Sequence, residues 1–145
     1  MATVNRNLRV TMFAFKKDEI SEEQFHDHWS KVHAPIVAEF LAKAGVIRYT
    51  QYHTPSSVRK EVREHYERLG APYRPFPDYD GLVEIVVPNM ETYVSLSKDP
   101  YYKKIVAPDE AKFFDWTKTS IAFGWEETYV ENGQPRVSKD GVARL

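Results

Sequence analysis

The chain has no cysteine. That excludes disulfides, thiolate catalysis and cysteine-ligated zinc or iron-sulfur centres. Charge of one sign is also missing: 20 basic residues oppose 21 acidic ones for a formal charge of -1, and no Lys/Arg cluster offers the footprint of a phosphate backbone. Nucleic acid is therefore not an expected partner. No apolar run approaches the roughly 20 residues that cross a bilayer, and the opening Met-Ala-Thr-Val-Asn-Arg-Asn has no apolar segment of the signal-peptide kind. A cytoplasmic protein without membrane contact is expected. Gly-rich phosphate loops, a G-x-S-x-G elbow and a dinucleotide fingerprint are absent as well, which leaves nucleotide cofactors and serine-hydrolase chemistry without support.

What the chain does have is histidine and aromatic residues. Three of its five histidines lie in Phe25-His-Asp-His-Trp-Ser-Lys-Val-His-Ala-Pro35, and aromatics make up 14% of 145 residues, a length that fits one domain spanning 1–145. Imidazole titrates near neutrality, so this segment is the first place to seek proton transfer.

Leu8 to Lys16 reads as a strand covered on both faces. Ser21, with Gln24 in a capping box, opens a helix with an apolar stripe of Phe25, Trp29, Val32, Ile36 and Phe40, ending near Gly45. Pro35 removes a backbone donor inside that helix and predicts a kink just after His33. Val46 to His53 and Leu82 to Val87 read as strands, Met90 to Lys98 as a helix with a new turn at Asp99-Pro100, Asp109 to Trp116 as helical, and Thr119 to Tyr129 as a last strand. Residues 54–78 form an insertion, a short charged helix and a Pro/aromatic stretch that could act as a lid. Residues 131–145 form a polar arm opened by the turn Asn132-Gly133. The order predicts an α+β, ferredoxin-like (split βαβ) fold with an insertion between the second and third strands. Because the first and third strands look apolar on both parities, the uncovered sheet face predicts a homodimer.

At 100° per residue His33 falls at the edge of the buried helical face, where a ring can reach a cavity and still exchange protons. Its expected role is protonation. Tyr49, Gln51 and His53 share one parity of the second strand; if that face meets the helix, they converge with His33 on an acid-base site, or else satisfy one another at an interface. His53 and Tyr49 are expected to polarise a carbonyl. Glu84 interrupts an apolar strand and needs a partner, either a site histidine or Arg9 or Arg48. His28 lies on the opposite flank of the helix and is carried with Trp29, Gln51 and Glu84 as substrate-binding. Helical spacing offers no histidine pair for chelation, so no metal is expected.

The segment from Phe25 to Pro35, together with Tyr49-Thr-Gln51-Tyr-His53, Tyr79-Asp80-Gly81, Asp99-Pro-Tyr-Tyr102, Pro108-Asp-Glu110 with Phe113, and Gly124-Trp-Glu-Glu-Thr-Tyr129, resembles the EthD-like branch of the dimeric α+β barrel superfamily. It is similar there to small fungal polyketide-tailoring proteins that include atrochrysone carboxylic acid decarboxylases. The resemblance implies a dimeric barrel and a cofactor-free decarboxylase of an aromatic polyketide acid, with His33 and His53 catalytic and Trp29, Tyr49 and Gln51 lining the pocket. Dehydration or cyclisation at the same site, and non-catalytic ligand binding, are the alternatives.

Overall fold

The computed structural model describes residues 6–141. Residues 1–5, which carry most of the opening segment, and 142–145, the end of the polar arm, lie outside the described residues. Four strands, β1 (Leu8–Ala14), β2 (Arg48–His53), β3 (Gly81–Val87) and β4 (Ser120–Trp125), form one antiparallel sheet in the order β2-β3-β1-β4. This is the expected ferredoxin-like α+β arrangement.

One face of the sheet is covered by two helical layers. The first runs through α1 (Glu22–His28), a π-helical turn Trp29–His33 and α2 (Ala34–Lys43). Its start is the capping box: Gln24 N–H donates to Ser21 Oγ at 3.1 Å, and Ser21 N–H to Gln24 Oε1 at 2.9 Å. A kink was expected after His33; the helix instead widens by one residue ahead of Pro35, and Ala34 N–H reaches back to the Trp29 carbonyl. A proline ring clashes with the carbonyl four residues before it, and the wider turn relieves that crowding without breaking the helix.

The insertion carries α3 (Ser56–Arg68), which buries none of its residues, and an extended stretch tied back by Arg59 to the Tyr79 carbonyl at 3.1 Å. The second layer contains α4 (Met90–Lys98), a π-helical turn Tyr102–Val106 and α5 (Ala107–Glu110), the last shorter than the helix expected over Asp109 to Trp116. A small hairpin, β5 (Val130–Glu131) and β6 (Gln134–Pro135), turns at Asn132-Gly133, both with positive φ. No helix among the described residues is long and apolar enough to cross a membrane.

Val10, Ala14, Val83, Ile85 and Val87 meet Phe25, Trp29, Phe113 and Phe114 in the main core. Val37, Leu41, Leu96 and Val106 join the helices in a second cluster. Gly81 is a glycine for lack of room: a Cβ there would sit 2.5 Å from Trp29 Cζ3 and 2.7 Å from the Tyr52 carbonyl oxygen.

The uncovered face is mixed on β1 and β3: Phe13, Leu82 and Val86 share it with polar residues. Arg9, Thr11 and Glu84 lie there in register with Arg48 and Thr50, and ion pairs link Arg9 to Glu84 and Arg48 to Glu126, the latter at 2.6 Å. Further exposed apolar surface is found on the edge strand β4, at Ile121, Phe123 and Trp125, which pair with Met12, Val10 and Leu8 and so lie on the helix-covered side of the sheet.

Candidate active site

Between the sheet and the two helical layers lies a cavity of about 200 Å³, walled mainly by apolar side chains such as Met12, Val37, Val83 and Ile85. The polar groups that reach it are His33, Glu110 and the tyrosines 49, 93 and 102, with Ser97; no lysine or arginine lines it.

His33 comes from the first π-turn and is 3% exposed, as is Asp109 from α5. Its Nδ1 lies 2.8 Å from Asp109 Oδ2. The other carboxylate oxygen is 3.0 Å from His28 Nε2, and Lys112 Nζ approaches it at 3.7 Å. Burial pushes the Asp109 carboxyl up, but the hydrogen bonds from His33 and His28 outweigh it and hold the group below the usual carboxylate range. An ionised carboxylate only accepts, so His33 carries its proton on Nδ1 and presents the Nε2 lone pair on the cavity side. Burial lowers the His33 pKa, His28 adds to the effect, and the hydrogen bond and charge of Asp109 only partly restore it. Where the sequence predicts a proton donor, the ring so held is suited to act as a base in one tautomer.

Glu110 is the candidate acid. It lines the same cavity, accepts a hydrogen bond from Tyr102 Oη at 3.0 Å, and its pKa is pushed up to about 7, first by burial and further by the neighbouring Asp109 charge, against the opposing pull of Tyr102. Asp109 and Glu110 enter the sequence analysis within a stretch that carries the resemblance, and neither is given a role there. A signal was present: Val106, Glu110 and Phe113 recur at helical spacing, which sets a carboxylate in an apolar stripe.

Tyr49 lies where the strand parity placed it and reaches the cavity. His53 shares that parity but does not join His33. The buried Trp29 ring stands in the way, its centroid 4.5 Å from the His53 ring, and His53 bonds instead to His26, Nδ1 to Nδ1 at 2.7 Å, and to Gln51 Oε1 at 3.0 Å. Gln51 links this group to Tyr49; neither it nor Trp29, both expected to line the pocket, is among the residues that line the cavity. His28 is engaged by Asp109. Glu84 points to the opposite face of the sheet, paired with Arg9, so the structural alternative for it holds. None of residues 54–78 lines the cavity; the insertion borders a separate groove at Tyr52, His53 and Tyr79. Among the described residues no group of three metal-ligating side chains is assembled.

A base of fixed tautomer, an acid near neutrality and phenols in an apolar cavity can move protons on a bound organic molecule without further parts. The chain matches the family model described as the EthD domain over residues 17–117. It is similar to dehydratase ustZ of Ustilaginoidea virens, 32% identical over 134 residues that cover 92% of this chain and 94% of the relative. It is also similar to decarboxylase claH of Passalora fulva, 31% identical over 129 residues, 89% of this chain and 82% of the relative. Among solved structures, a dimeric protein of unknown function and ferredoxin-like fold from Bacteroides fragilis superposes with a TM-score of 0.53 at 5% identity, covering 83% of this chain and 96% of the other.

Proposed function

Since the chain belongs to the EthD domain family, we propose that it is a cofactor-free lyase that removes CO2 from an aromatic polyketide carboxylic acid in fungal secondary metabolism. The observation that carries this reading is the buried Asp109–His33 pair opening, with Glu110, onto an apolar cavity without a cation. A carboxyl group entering such a cavity finds no ion pair to stabilise its charged form, and loss of CO2 removes the charge. In the proposed step His33 Nε2 takes the proton of the substrate acid. The electrons of the breaking C–C bond move onto a neighbouring carbonyl oxygen that accepts a hydrogen bond from Tyr49, CO2 departs, and Glu110 delivers a proton to the carbon. One proton is taken and one returned.

The cavity is smaller than the roughly 300–1,000 Å³ of a typical ligand site. It holds the reacting end, and the remaining rings extend past the exposed Val94 and Trp116 towards β4. The apolar β4 residues Ile121, Phe123 and Trp125 support a homodimer in which a second copy covers this edge, the state named for the Bacteroides protein. Sedimentation at micromolar concentration is expected to give twice the chain mass, and Phe123→Glu with Trp125→Glu to give the monomer; a wild-type monomer refutes the arrangement.

Dehydration is the second reading, favoured by the pairing of a base with a separate acid and by the similarity to a named dehydratase. His33 would take a proton beside the carbonyl, and Glu110 would protonate the departing hydroxyl. Mass-resolved product analysis of a freshly generated anthraquinone-type polyketide acid decides between them. Loss of the mass of CO2 with wild type and not with His33→Ala establishes the first reading, and loss of water establishes the second. An unchanged substrate that nevertheless binds points to a ligand-binding protein.

A further inference from the structure

Gln51 sits among polar partners whose chemistry fixes every proton around it. The Trp29 backbone carbonyl can only accept, so the Gln51 atom 3.0 Å from it is the amide nitrogen. That nitrogen also lies 3.0 Å from the Tyr49 hydroxyl oxygen. An amide nitrogen has no lone pair to offer, so its two hydrogens go one to each neighbour and Tyr49 Oη is the acceptor. The amide oxygen then faces His53 Nε2 at 3.0 Å, which must carry a hydrogen; Ser30 Oγ, at 3.4 Å, is its weaker second contact. The lone pair of neutral His53 is therefore on Nδ1, 2.7 Å from His26 Nδ1, which must donate. The chain ends at His26 Nε2, buried and without a hydrogen-bond partner.

We propose that His26, His53 and Gln51 are positioning residues that together hold the Tyr49 hydroxyl as a donor into the cavity, aimed at the carbonyl oxygen on which charge develops. This rests on the reading of the cavity as the active site. Because Tyr49 Oη is occupied as an acceptor by Gln51, its own hydrogen has nowhere to go along the chain and is left for the cavity that the ring lines. Donors already oriented before the reaction cost no reorganisation when charge appears, which is where such groups gain their effect. The chain also explains why two histidines that share a helix face and a strand face with the site stay outside it. Protonating His53 would set two N–H groups against each other at 2.7 Å, so the arrangement holds with that ring neutral, and burial favours the neutral form of both rings.

The test has one arm that needs no turnover. In protein labelled with 3-fluorotyrosine, the Tyr49 fluorine resonance is identified by its loss in Tyr49→Phe, and its titration is followed in wild type, Gln51→Leu and His53→Phe. Gln51→Leu removes one of the two donors, Gln51 and the Trp29 indole, that favour the phenolate and is expected to move the titration to higher pH. His53→Phe, which keeps a ring but frees the amide, is expected to move it in the same direction. In the second arm, Tyr49→Phe is expected to lower kcat about 100-fold with KM little changed, Gln51→Leu to lower kcat at least tenfold, and the double variant to be no worse than Tyr49→Phe alone. An unmoved Tyr49 titration in both single variants, or losses that multiply in the double variant, overturns the positioning chain. A wild-type protein that turns over no polyketide acid while the titrations shift as expected overturns the enzymatic reading and leaves the chain standing.

Discussion

Asp109→Asn is expected to lower turnover by about 10³- to 10⁴-fold, as much as His33→Ala, with little change in KM. The substitution keeps the volume and replaces two acceptor oxygens by one. Two imidazole N–H groups, from His33 and His28, face that side chain at 2.8 and 3.0 Å, and an amide can satisfy only one of them. If its NH2 group faces His33, the ring must move its proton to Nε2, and the lone pair leaves the cavity side. If the oxygen faces His33, the tautomer is kept but the carboxylate charge that steadies an imidazolium is gone. Either arrangement disables the base, and losing the carboxylate's charge-assisted hydrogen bonds to the imidazoles costs roughly 1.5–3 kcal/mol. Steady-state kinetics and a denaturation curve check both parts. Because His33 and Asp109 act as one unit, His33→Ala/Asp109→Asn should be no slower than His33→Ala; a further hundredfold loss in the double variant would show that Asp109 acts apart from His33.

Glu110→Gln is expected to separate function from stability. As the proton donor, Glu110 must be protonated, so wild-type turnover falls as pH rises through about 7, where this carboxyl ionises. It falls again on the acid side as His33 gains a proton, below the ordinary histidine range because burial lowers its pKa. Glutamine cannot give up a proton at these pH values. The variant should lose turnover by about 10²-fold or more and lose the alkaline limb with it. Stability should move the other way. The carboxyl titrates at 4.5 in an ordinary setting and at about 7 when folded, so between these values the folded chain binds a proton that the unfolded chain has released. Stability is therefore undiminished below about pH 4.5 and is lost progressively up to about 7, by roughly 3 kcal/mol in all. Urea unfolding at pH 8 should find Glu110→Gln more stable than wild type, and at pH 4.5 the two alike. Equal stability at both pH values would mean that Glu110 is not the buried, displaced carboxyl described above.

The strands, the capping box at Ser21 and the position of His33 were legible because each depends on neighbours within a turn or on simple alternation. The parity of β2 placed Tyr49, Gln51 and His53 on one face but left open where that face looks; it meets the helices. Parity does not report what stands between two side chains, and the Trp29 ring separates His53 from His33. Glu84 failed for a related reason. In a strand apolar at nearly every position no alternation reveals which face is covered, and its register with Thr11 and Thr50 sets it on the side away from the helices. Asp109 was out of reach of local reasoning because its contact with His33 spans 76 residues. Pro35 was read as a point of bending, whereas the chain answers a missing donor by widening the turn before it.

That answer is given twice. Trp29–His33 is followed by Ala34-Pro35, and Tyr102–Val106 by Ala107-Pro108, so each βαβ half carries one overwide turn ahead of an Ala-Pro pair. The first supplies His33, the proposed base, and the second is followed at once by Asp109 and Glu110. The meeting of the two halves is thus a matter of counting residues along each helix. Removing one residue from either turn would change composition and hydrophobicity hardly at all, yet it would rotate everything downstream by about 100° and carry it about 1.5 Å along the axis. His33 and Asp109 would then miss each other with both still in the chain, which makes the spacing to each proline as much a part of the site as the residues that bear the protons.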